Sequence, residues 1–239
     1  MAVRLLRERS GPASQDAPAN VIAIAPSSAQ ARNFYQRHGK RGLDLFLILI
    51  LSPFWILVYL AIIAFVLIVD GRPIHYRSAR IGRDGQDIEI LKFRTMRVDA
   101  DSSLAALLAA DPALEEEYEA AVKLRNDPRV TRSGRWLRRT SLDELPQLVN
   151  VLTGDMSLIG PRPVLTQAEL DDFFGDYSDE VVRLRPGMSG LWQVSGRSLL
   201  SYEERVALDL EYSRVCSFQN DLLLLARTIP SVIQARGAF

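Results

Sequence analysis

The densest group of reactive side chains in this chain of 239 residues lies in the segment 136–148. Asp143 and Glu144 are adjacent carboxylates there, and Arg138 precedes them by about one helical turn. At the irregular start of a helix, two adjacent carboxylates can flank one site, and arginine forks suit phosphate oxygens. The segment therefore indicates a site for an anionic, phosphate-bearing ligand.

The same residues have an ordinary structural interpretation. Ser141 and Glu144 have the spacing of a capping box, and the apolar pattern predicts a helix over 143–151 that stops at Gly154. In that interpretation Asp143 only stabilises the positive end of the helix. The residues alone leave both possibilities open.

Further basic residues are candidates for the same kind of ligand. Arg162 lies between two prolines that hold the backbone extended, although a tight turn with a solvent-exposed arginine is the alternative. Lys92 lies near the end of a predicted strand, and Arg94 follows that strand. A glycine-rich stretch with Trp192 precedes Arg197, but it matches neither the Walker nor the dinucleotide-binding pattern, and Trp192 is more typical of a core.

Composition excludes several classes of function. The formal net charge is zero, so no overall field favours nucleic acid as a partner. Cys216 is the only cysteine, so no internal disulfide can form, and His38 and His75 are too few for a histidine-based zinc site. We read Cys216 as a buried structural thiol in a reducing compartment.

An apolar run of 25 residues, 45–69, places the chain in a membrane. As a straight helix it would be roughly 38 Å long, against about 30 Å for a hydrocarbon core. Pro53 interrupts it, and basic residues flank both ends, without the asymmetry of a typical spanning helix. A re-entrant hairpin bent at Ser52-Pro53, a spanning helix and a buried core helix all remain possible on this evidence.

The rest of the chain predicts a soluble domain. An extended segment over 86–93 is expected, with helices over 102–125 (interrupted near 111–112), 134–139, 201–216 and 219–235. We predict an α+β fold, mostly helical, in three parts: a flexible cytosolic tail (1–31), a re-entrant membrane segment (32–70) and a cytosolic catalytic domain with interfacial helices (71–239).

Four motifs together resemble the bacterial sugar transferases, the monotopic phosphoglycosyl transferases. They are Lys-Phe-Arg-Thr-Met at 92–96, Ser-Leu-Asp-Glu-Leu-Pro-Gln at 141–147, Leu-Ile-Gly-Pro-Arg-Pro at 158–163 and Arg-Pro-Gly-Met-Ser-Gly-Leu-Trp at 185–192. The resemblance runs from about residue 37 to the C-terminus and is closest to the short, exopolysaccharide-initiating members. It implies transfer of hexose 1-phosphate from a UDP-sugar to polyprenyl (undecaprenyl) phosphate, with release of UMP.

The resemblance also implies roles for the candidate residues. Asp143 would be the nucleophile that forms a phosphosugar–aspartate intermediate, and Glu144 would help to hold Mg²⁺ with it. Arg138 and Arg162 would neutralise developing charge. The weaker substrate-binding candidates are Lys92, Arg94, Arg197 and Asp209.

The family pattern bears on location as well. Ser52-Pro53 matches the bend of a re-entrant helix in family members, which favours the hairpin. The implied setting is the cytosolic face of the bacterial inner membrane, with the phospholipid bilayer as a partner, no nucleic acid, and a homodimer permitted. The motifs do not identify the hexose.

Two rival functions differ in class. Asp99-Ala-Asp101 resembles a short metal-binding motif, which would suit a direct-transfer glycosyltransferase. The second rival function is that of a non-enzymatic membrane protein that scaffolds polysaccharide assembly. A covalent adduct on Asp143 would exclude the first, and loss of activity on its substitution would exclude the second.

Overall fold

The structure is a computed structural model that describes residues 34–121, 124, 126–196 and 200–233. The predicted tail 1–31 and the candidate Arg197 lie outside the described residues. The described part is mostly helical with two small sheets, which confirms the predicted α+β class.

The helices are listed here with their bounds. After a π-helical turn at Tyr35–Gly39, they are α1 (Lys40–Ile50), α2 (Ser52–Val69), α3 (Ala100–Ala110), α4 (Pro112–Ala121), α5 (Arg132–Thr140), α6 (Gln147–Thr153), α7 (Gln167–Phe174), α8 (Ser178–Val182), α9 (Leu191–Ser195), α10 (Tyr202–Val215) and α11 (Phe218–Ile233). Short 3₁₀ turns lie at Arg83–Gly85, Leu142–Glu144 and Gly175–Tyr177.

Four strands form the two sheets. β1 (His75–Ile81) and β2 (Asp87–Phe93) make an antiparallel hairpin in which His75 lies opposite Phe93. β3 (Ser157–Ile159) and β4 (Gly187–Ser189) are parallel, with Ser157 opposite Gly187. The extended segment expected over 86–93 is confirmed as β2, whereas β1 and the parallel pair were not predicted.

The apolar run contains a break at Ser52-Pro53. Helix α1 ends before Leu51, and Pro53 lies in the first turn of α2, where its missing N–H is tolerated. The Trp55 indole N–H donates to the Ile48 carbonyl at 3.0 Å, which satisfies a backbone acceptor next to the break. Proline and a side-chain hydrogen bond therefore fix the position of the break.

One face of α2 packs on the soluble domain. Ile62 and Val66 are buried against Phe93 of β2 and Leu137 of α5. Other faces of α2 stay exposed and apolar, and Ile68 is 85 % exposed. By length and composition α2 is the one helix in the described ranges that is able to cross a membrane. Its large exposed apolar surface indicates a hydrophobic environment.

The N-terminal end of the broken helix is tied to the domain by buried polar contacts. Lys40 of α1 forms an ion pair with Asp221 of α11 at 2.6 Å, and the Tyr212 hydroxyl donates to the same carboxylate at 2.6 Å. Asp44 accepts hydrogen bonds from the Ser157 hydroxyl and from the backbone N–H of Leu158. These contacts fix α1 between α11 and β3.

The C-terminal end of α2 is tied to the same domain. The Asp70 carboxylate accepts hydrogen bonds from the hydroxyls of Thr131, at 2.7 Å, and Ser133. Arg94 donates to the backbone carbonyls of Asp70 and Gly71 at 2.8 and 2.9 Å. Both ends of the broken apolar segment therefore contact one soluble domain.

The other predicted helices are found with shifted ends. The expected helical region over 102–125 is α3 and α4, which meet at Asp111-Pro112 as predicted, and 134–139 lies within α5. Helix α10 begins with a capping box formed by Ser201 and Glu204. The last two residues of the helix predicted over 219–235 lie outside the described ranges, and Cys216 is buried as predicted.

Candidate active site

Close packing between the end of β2 and helix α5 positions Arg138. Gly134 lies so near the chain at Thr95 that an added Cβ would be 2.1 Å from the Thr95 carbonyl oxygen. One turn later, Arg138 Nε donates to the Thr95 hydroxyl at 2.9 Å. Glycine at 134 therefore lets α5 approach the backbone, and this approach directs the arginine toward the strand end.

A left-handed residue, not a capping box, presents the two carboxylates. Ser141 has φ 55° and ψ 18° and ends α5, where its N–H bonds back to the Arg138 and Leu137 carbonyls. The chain then makes the 3₁₀ turn Leu142–Glu144 that carries Asp143. Ser141 makes no side-chain cap, so the capping-box interpretation is wrong.

The expected helix start is wrong for the same reason. Helix α6 begins at Gln147, four residues after Asp143, so the carboxylate is not in its first turn. Ser141 in the left-handed conformation closes the preceding helix, which prevents it from opening the next one. Gly154, with φ 98°, ends α6 as predicted.

The two carboxylates have different surroundings. Glu144 forms an ion pair with Lys92 at 2.7 Å, and the side chains are 40 % and 29 % exposed. Asp143 forms no ion pair with a described residue. Burial, followed by the nearby Glu144 charge, raises the pKa of Asp143 to about 6, although Lys92 and Arg138 oppose the rise. The structure thus brings together four predicted site residues: Lys92, Arg138, Asp143 and Glu144.

This group suits phosphoryl chemistry. A carboxylate with a pKa of about 6 is mostly ionised at neutral pH and only partly hydrated, and two cations stand beside it. Burial lowers the pKa of the Arg138 guanidinium, and the Asp143 charge offsets part of that effect. The arrangement can hold an anionic group next to a carboxylate nucleophile.

The dyad also has the donor set for one kind of cation. Within the described ranges no three histidine, cysteine, aspartate or glutamate side chains are grouped as metal ligands. Mg²⁺ is commonly bound through one or two carboxylates together with substrate phosphates and waters. Asp143 and Glu144 fit that pattern, because a bound cation would also relieve the repulsion between them.

Arg162 and Asp209 meet in a second group. The loop that carries Arg162 is held against β4, since a Cβ on Gly160 would lie 2.6 Å from the Gly187 nitrogen. The Arg162 backbone N–H donates to Asp209 Oδ2 at 3.1 Å. Burial raises the pKa of Asp209 to about 7, partly offset by the Arg162 N–H and charge. Asp209 Oδ1 is buried and has no hydrogen-bond partner among the described residues.

Two further arginines belong to this second group. The guanidiniums of Arg162 and Arg205 lie 5.5 and 5.3 Å from the ring centre of Trp192, which is partly buried and packs against the core, as predicted. Besides burial, the Arg162 charge lowers the pKa of both Arg80 and Arg205. Arg162 therefore stands near the buried Asp209 carboxyl and near two further arginines, and this concentration of positive charge favours an anionic ligand.

Sequence reasoning missed Arg80 and Arg205. Arg80 lies in an unpredicted strand, and Arg205 lies in a helix whose register against the Trp192 ring depends on tertiary packing. Arg80 is opposite Ile88 and Lys92 is opposite Tyr76, so the two cations share one face of the hairpin. Four strand positions separate them, roughly 13 Å along the strands.

Other predicted residues lie elsewhere. The terminal nitrogen of Arg94 bonds the carbonyls at the end of α2, and among the described residues no contact joins Arg94 to the dyad. Arg97 pairs with Asp99, so this part of the Asp99-Ala-Asp101 motif is engaged locally. A substrate-binding role for Arg94 and for Arg197 stays a prediction.

Adjacent carboxylates flanked by cations, on an α+β domain packed against a long apolar helix, are typical of enzymes that act on phosphorylated substrates at a membrane. The bacterial sugar transferase family model matches residues 35–235, and the chain belongs to that family. The predicted assignment to phosphoglycosyl transferases is confirmed at this level.

Several curated relatives are similar to this chain. It is 47 % identical over 180 residues to a UDP-galactose-lipid carrier transferase of Erwinia amylovora, covering 75 % of this chain and 37 % of the relative. It is 42 % identical over 205 residues to the exopolysaccharide production protein ExoY of Sinorhizobium fredii, covering 84 % and 88 %. A UDP-glucose:undecaprenyl-phosphate glucose-1-phosphate transferase of Caulobacter vibrioides is 37 % identical over 209 residues, covering 84 % and 72 %.

The relatives differ in length. The chain spans little more than a third of the Erwinia relative and most of the Sinorhizobium one. The family match over residues 35–235 contains both the dyad and the broken apolar helix.

Proposed function

We propose that this protein transfers hexose 1-phosphate from a UDP-sugar to polyprenyl phosphate and releases UMP. The observation that carries the proposal is the carboxylate of Asp143, which forms no ion pair with a described residue, lies near Lys92 and Arg138, and has a pKa raised to about 6. The names of the Erwinia and Caulobacter relatives support the substrate classes.

The reaction would proceed in two displacements. A carboxylate oxygen of Asp143 attacks the β-phosphorus of the UDP-sugar, the bond from that phosphorus to the bridging oxygen breaks, and UMP leaves with the electron pair. An oxygen of the polyprenyl phosphate then attacks the same phosphorus and releases the Asp143 carboxylate. Splitting one difficult transfer into two steps is the usual advantage of covalent catalysis.

The neighbouring residues would hold charge in place during both steps. Lys92 keeps Glu144 oriented through their 2.7 Å ion pair, and Arg138, fixed by Thr95, faces the region beside Asp143. Mg²⁺ held by Asp143 and Glu144 would neutralise diphosphate oxygens. Arg162 would add positive charge from the second group.

The experiment that tests this mechanism omits the lipid acceptor. Purified protein is mixed with UDP-glucose or UDP-galactose and then measured by intact mass and for UMP. We expect about one UMP per active site and a mass increase of one hexose phosphate, absent in Asp143→Asn. UMP release that strictly requires polyprenyl phosphate, without an adduct, would instead favour direct transfer. A panel of UDP-sugars in the full reaction identifies the hexose.

We also propose that α1 and α2 form a re-entrant hairpin in the cytosolic leaflet of the inner membrane. The support is that Lys40 and Asp44 at one end and Asp70 at the other contact the same soluble domain, which a straight spanning helix would not allow. The hairpin would hold Asp143 near the headgroups, where a water-soluble nucleotide and a lipid phosphate meet.

Cysteine labelling tests the hairpin. Single cysteines at the exposed positions Arg37 and Arg72, in a Cys216→Ser background, should both react with an impermeant reagent from the cytosolic side only. Labelling of the two positions from opposite sides would establish a spanning helix and refute the hairpin.

A further inference from the structure

Helix α5 carries a row of arginines that the catalytic proposal does not use. Arg132, Arg135 and Arg139, here called the arginine row, recur at positions i, i+3 and i+7 and so lie on one side of the helix. All three arginines are exposed. Within the described ranges none of the three forms an ion pair with a carboxylate. The row is therefore a concentrated and uncompensated positive surface.

The row adjoins the apolar surface of α2. Trp136, between Arg135 and Leu137, is 46 % exposed, and its ring meets that of Phe65 edge-on with 5.5 Å between centres. The inner side of α5 is closed, since Leu137 is fully buried with Ile62 and Val66. Positive charge, an exposed indole and a lipophilic helix thus form one continuous surface.

We propose that the arginine row and Trp136 form a docking surface for the headgroups of anionic phospholipids. Tryptophan favours the level between acyl chains and headgroups, and arginines next to an apolar segment attract an anionic leaflet. Charge complementarity and continuity with the apolar face of α2 select a bilayer over a protein partner. The inference rests on the proposed membrane-interface function and adds a preference for anionic lipid.

The surface has a consequence for catalysis. Helix α5 ends at Ser141, and the turn that follows holds Asp143. Headgroups bound along α5 would therefore set the height of the reacting carboxylate relative to the leaflet. Anionic phospholipid would orient the enzyme without entering the reaction.

Quenching of Trp136 by lipids brominated near the ester end of the acyl chains tests the proposal. The protein is placed in neutral nanodiscs doped with brominated phosphatidylglycerol or brominated phosphatidylcholine. The contribution of Trp136 is the difference between the unmodified protein and Trp136→Phe. We expect half-quenching at a lower mole fraction of brominated phosphatidylglycerol than of brominated phosphatidylcholine. The two mole fractions should differ by about fivefold for each arginine that contacts a headgroup.

Substitutions then assign the selectivity. Arg132→Gln/Arg135→Gln should reduce the preference for phosphatidylglycerol by about 25-fold, whereas the matched pair Arg77→Gln/Arg83→Gln, on the exposed hairpin, should leave it unchanged. The inference would be overturned if both lipids quenched Trp136 equally. It would also be overturned if the matched pair lost the preference for phosphatidylglycerol to the same extent, or if Arg132→Gln/Arg135→Gln kept that preference. Much stronger competition by polyprenyl phosphate than by phosphatidylglycerol would assign the row to the acceptor and overturn it too.

Failure of this inference is separable from failure of the proposed function. In neutral detergent, without anionic phospholipid, Arg132→Gln/Arg135→Gln should release UMP at the unmodified rate. Loss of UMP release there would place the row in the active site and refute the docking role. The intact-mass experiment on Asp143 is independent of lipid charge and tests the transfer mechanism by itself.

Discussion

Replacing Asp143 with asparagine should abolish catalysis and at the same time stabilise the fold. The pKa of this carboxyl rises from an ordinary 3.8 to about 6, a difference that corresponds to about 3 kcal/mol against the ionised form in the folded protein. Partial exposure of the side chain reduces the expected gain to about 2 kcal/mol. Asparagine removes the charge while keeping the shape of the side chain. The gain in stability therefore appears at pH values at which the carboxylate is ionised.

The sign of the pH dependence follows from the direction of this pKa change. Because the folded pKa is above the unfolded one, the stability that a protonated Asp143 contributes is present below about pH 3.8 and is lost as the pH rises through about 6. Asp143→Asn should therefore unfold at a temperature about 4–8 °C higher at about pH 8, with a smaller gain near pH 4. The exposed carboxylate of Asp172, on α7, provides the matched control, and Asp172→Asn should show no such gain.

The activity of the unmodified protein should rise with pH over the range in which the stability contributed by protonated Asp143 is lost. UMP release by the unmodified protein should fall about tenfold for each pH unit below about 6, since the ionised carboxylate is the proposed nucleophile. Asp143→Asn should lose about a thousandfold or more at every pH. A substituted protein that turns over normally, or one that is inactive but also less stable at high pH, would refute this account of Asp143.

Three other changes have defined outcomes. Lys92→Met should lower UMP release about 10- to 100-fold with little loss of stability, because it frees Glu144 from a part-exposed pair; normal release would remove Lys92 from the site. Asp221→Asn should lower the free energy of unfolding by about 3–5 kcal/mol, since it leaves Lys40 buried without its ion-pair partner; an unchanged melting temperature would argue against this buried pair. Chelation by EDTA should stop adduct formation and Mg²⁺ should restore it, and full activity in EDTA would exclude the proposed cation.

Local patterns in the chain predicted those parts of the fold that local physics determines. The break at Ser52-Pro53 follows from a missing N–H, and the stop at Gly154 follows from a left-handed φ of 98°. β1 was missed because apolar and polar residues alternate poorly along it and because it is stabilised by pairing with β2. The parallel pair of three-residue strands is too short to leave a periodic signal.

The site was predictable in composition but not in geometry. The motif around Asp143 identified the carboxylates and Arg138, yet its capping-box spacing suggested a helix start that does not exist. Ser141 instead adopts a left-handed conformation at the end of α5, which the spacing of the motif did not indicate. The spacing alone favoured the capping interpretation, and the structure contradicts it.

The different environments of two adjacent carboxylates are the reason why the proposed mechanism assigns the covalent role to Asp143 and not to Glu144. Glu144 is held by Lys92 in an ion pair, which fixes its oxygens and lowers their availability for attack. Asp143 keeps the nearby positive charge of Lys92 and Arg138 without a direct pair, and burial leaves it poorly hydrated. A nucleophile needs an accessible electron pair, and a charge-neutralising neighbour needs a fixed position. Because the 3₁₀ turn places both residues within reach of Lys92 but lets only Glu144 bind it, the pair separates these two requirements between neighbouring positions.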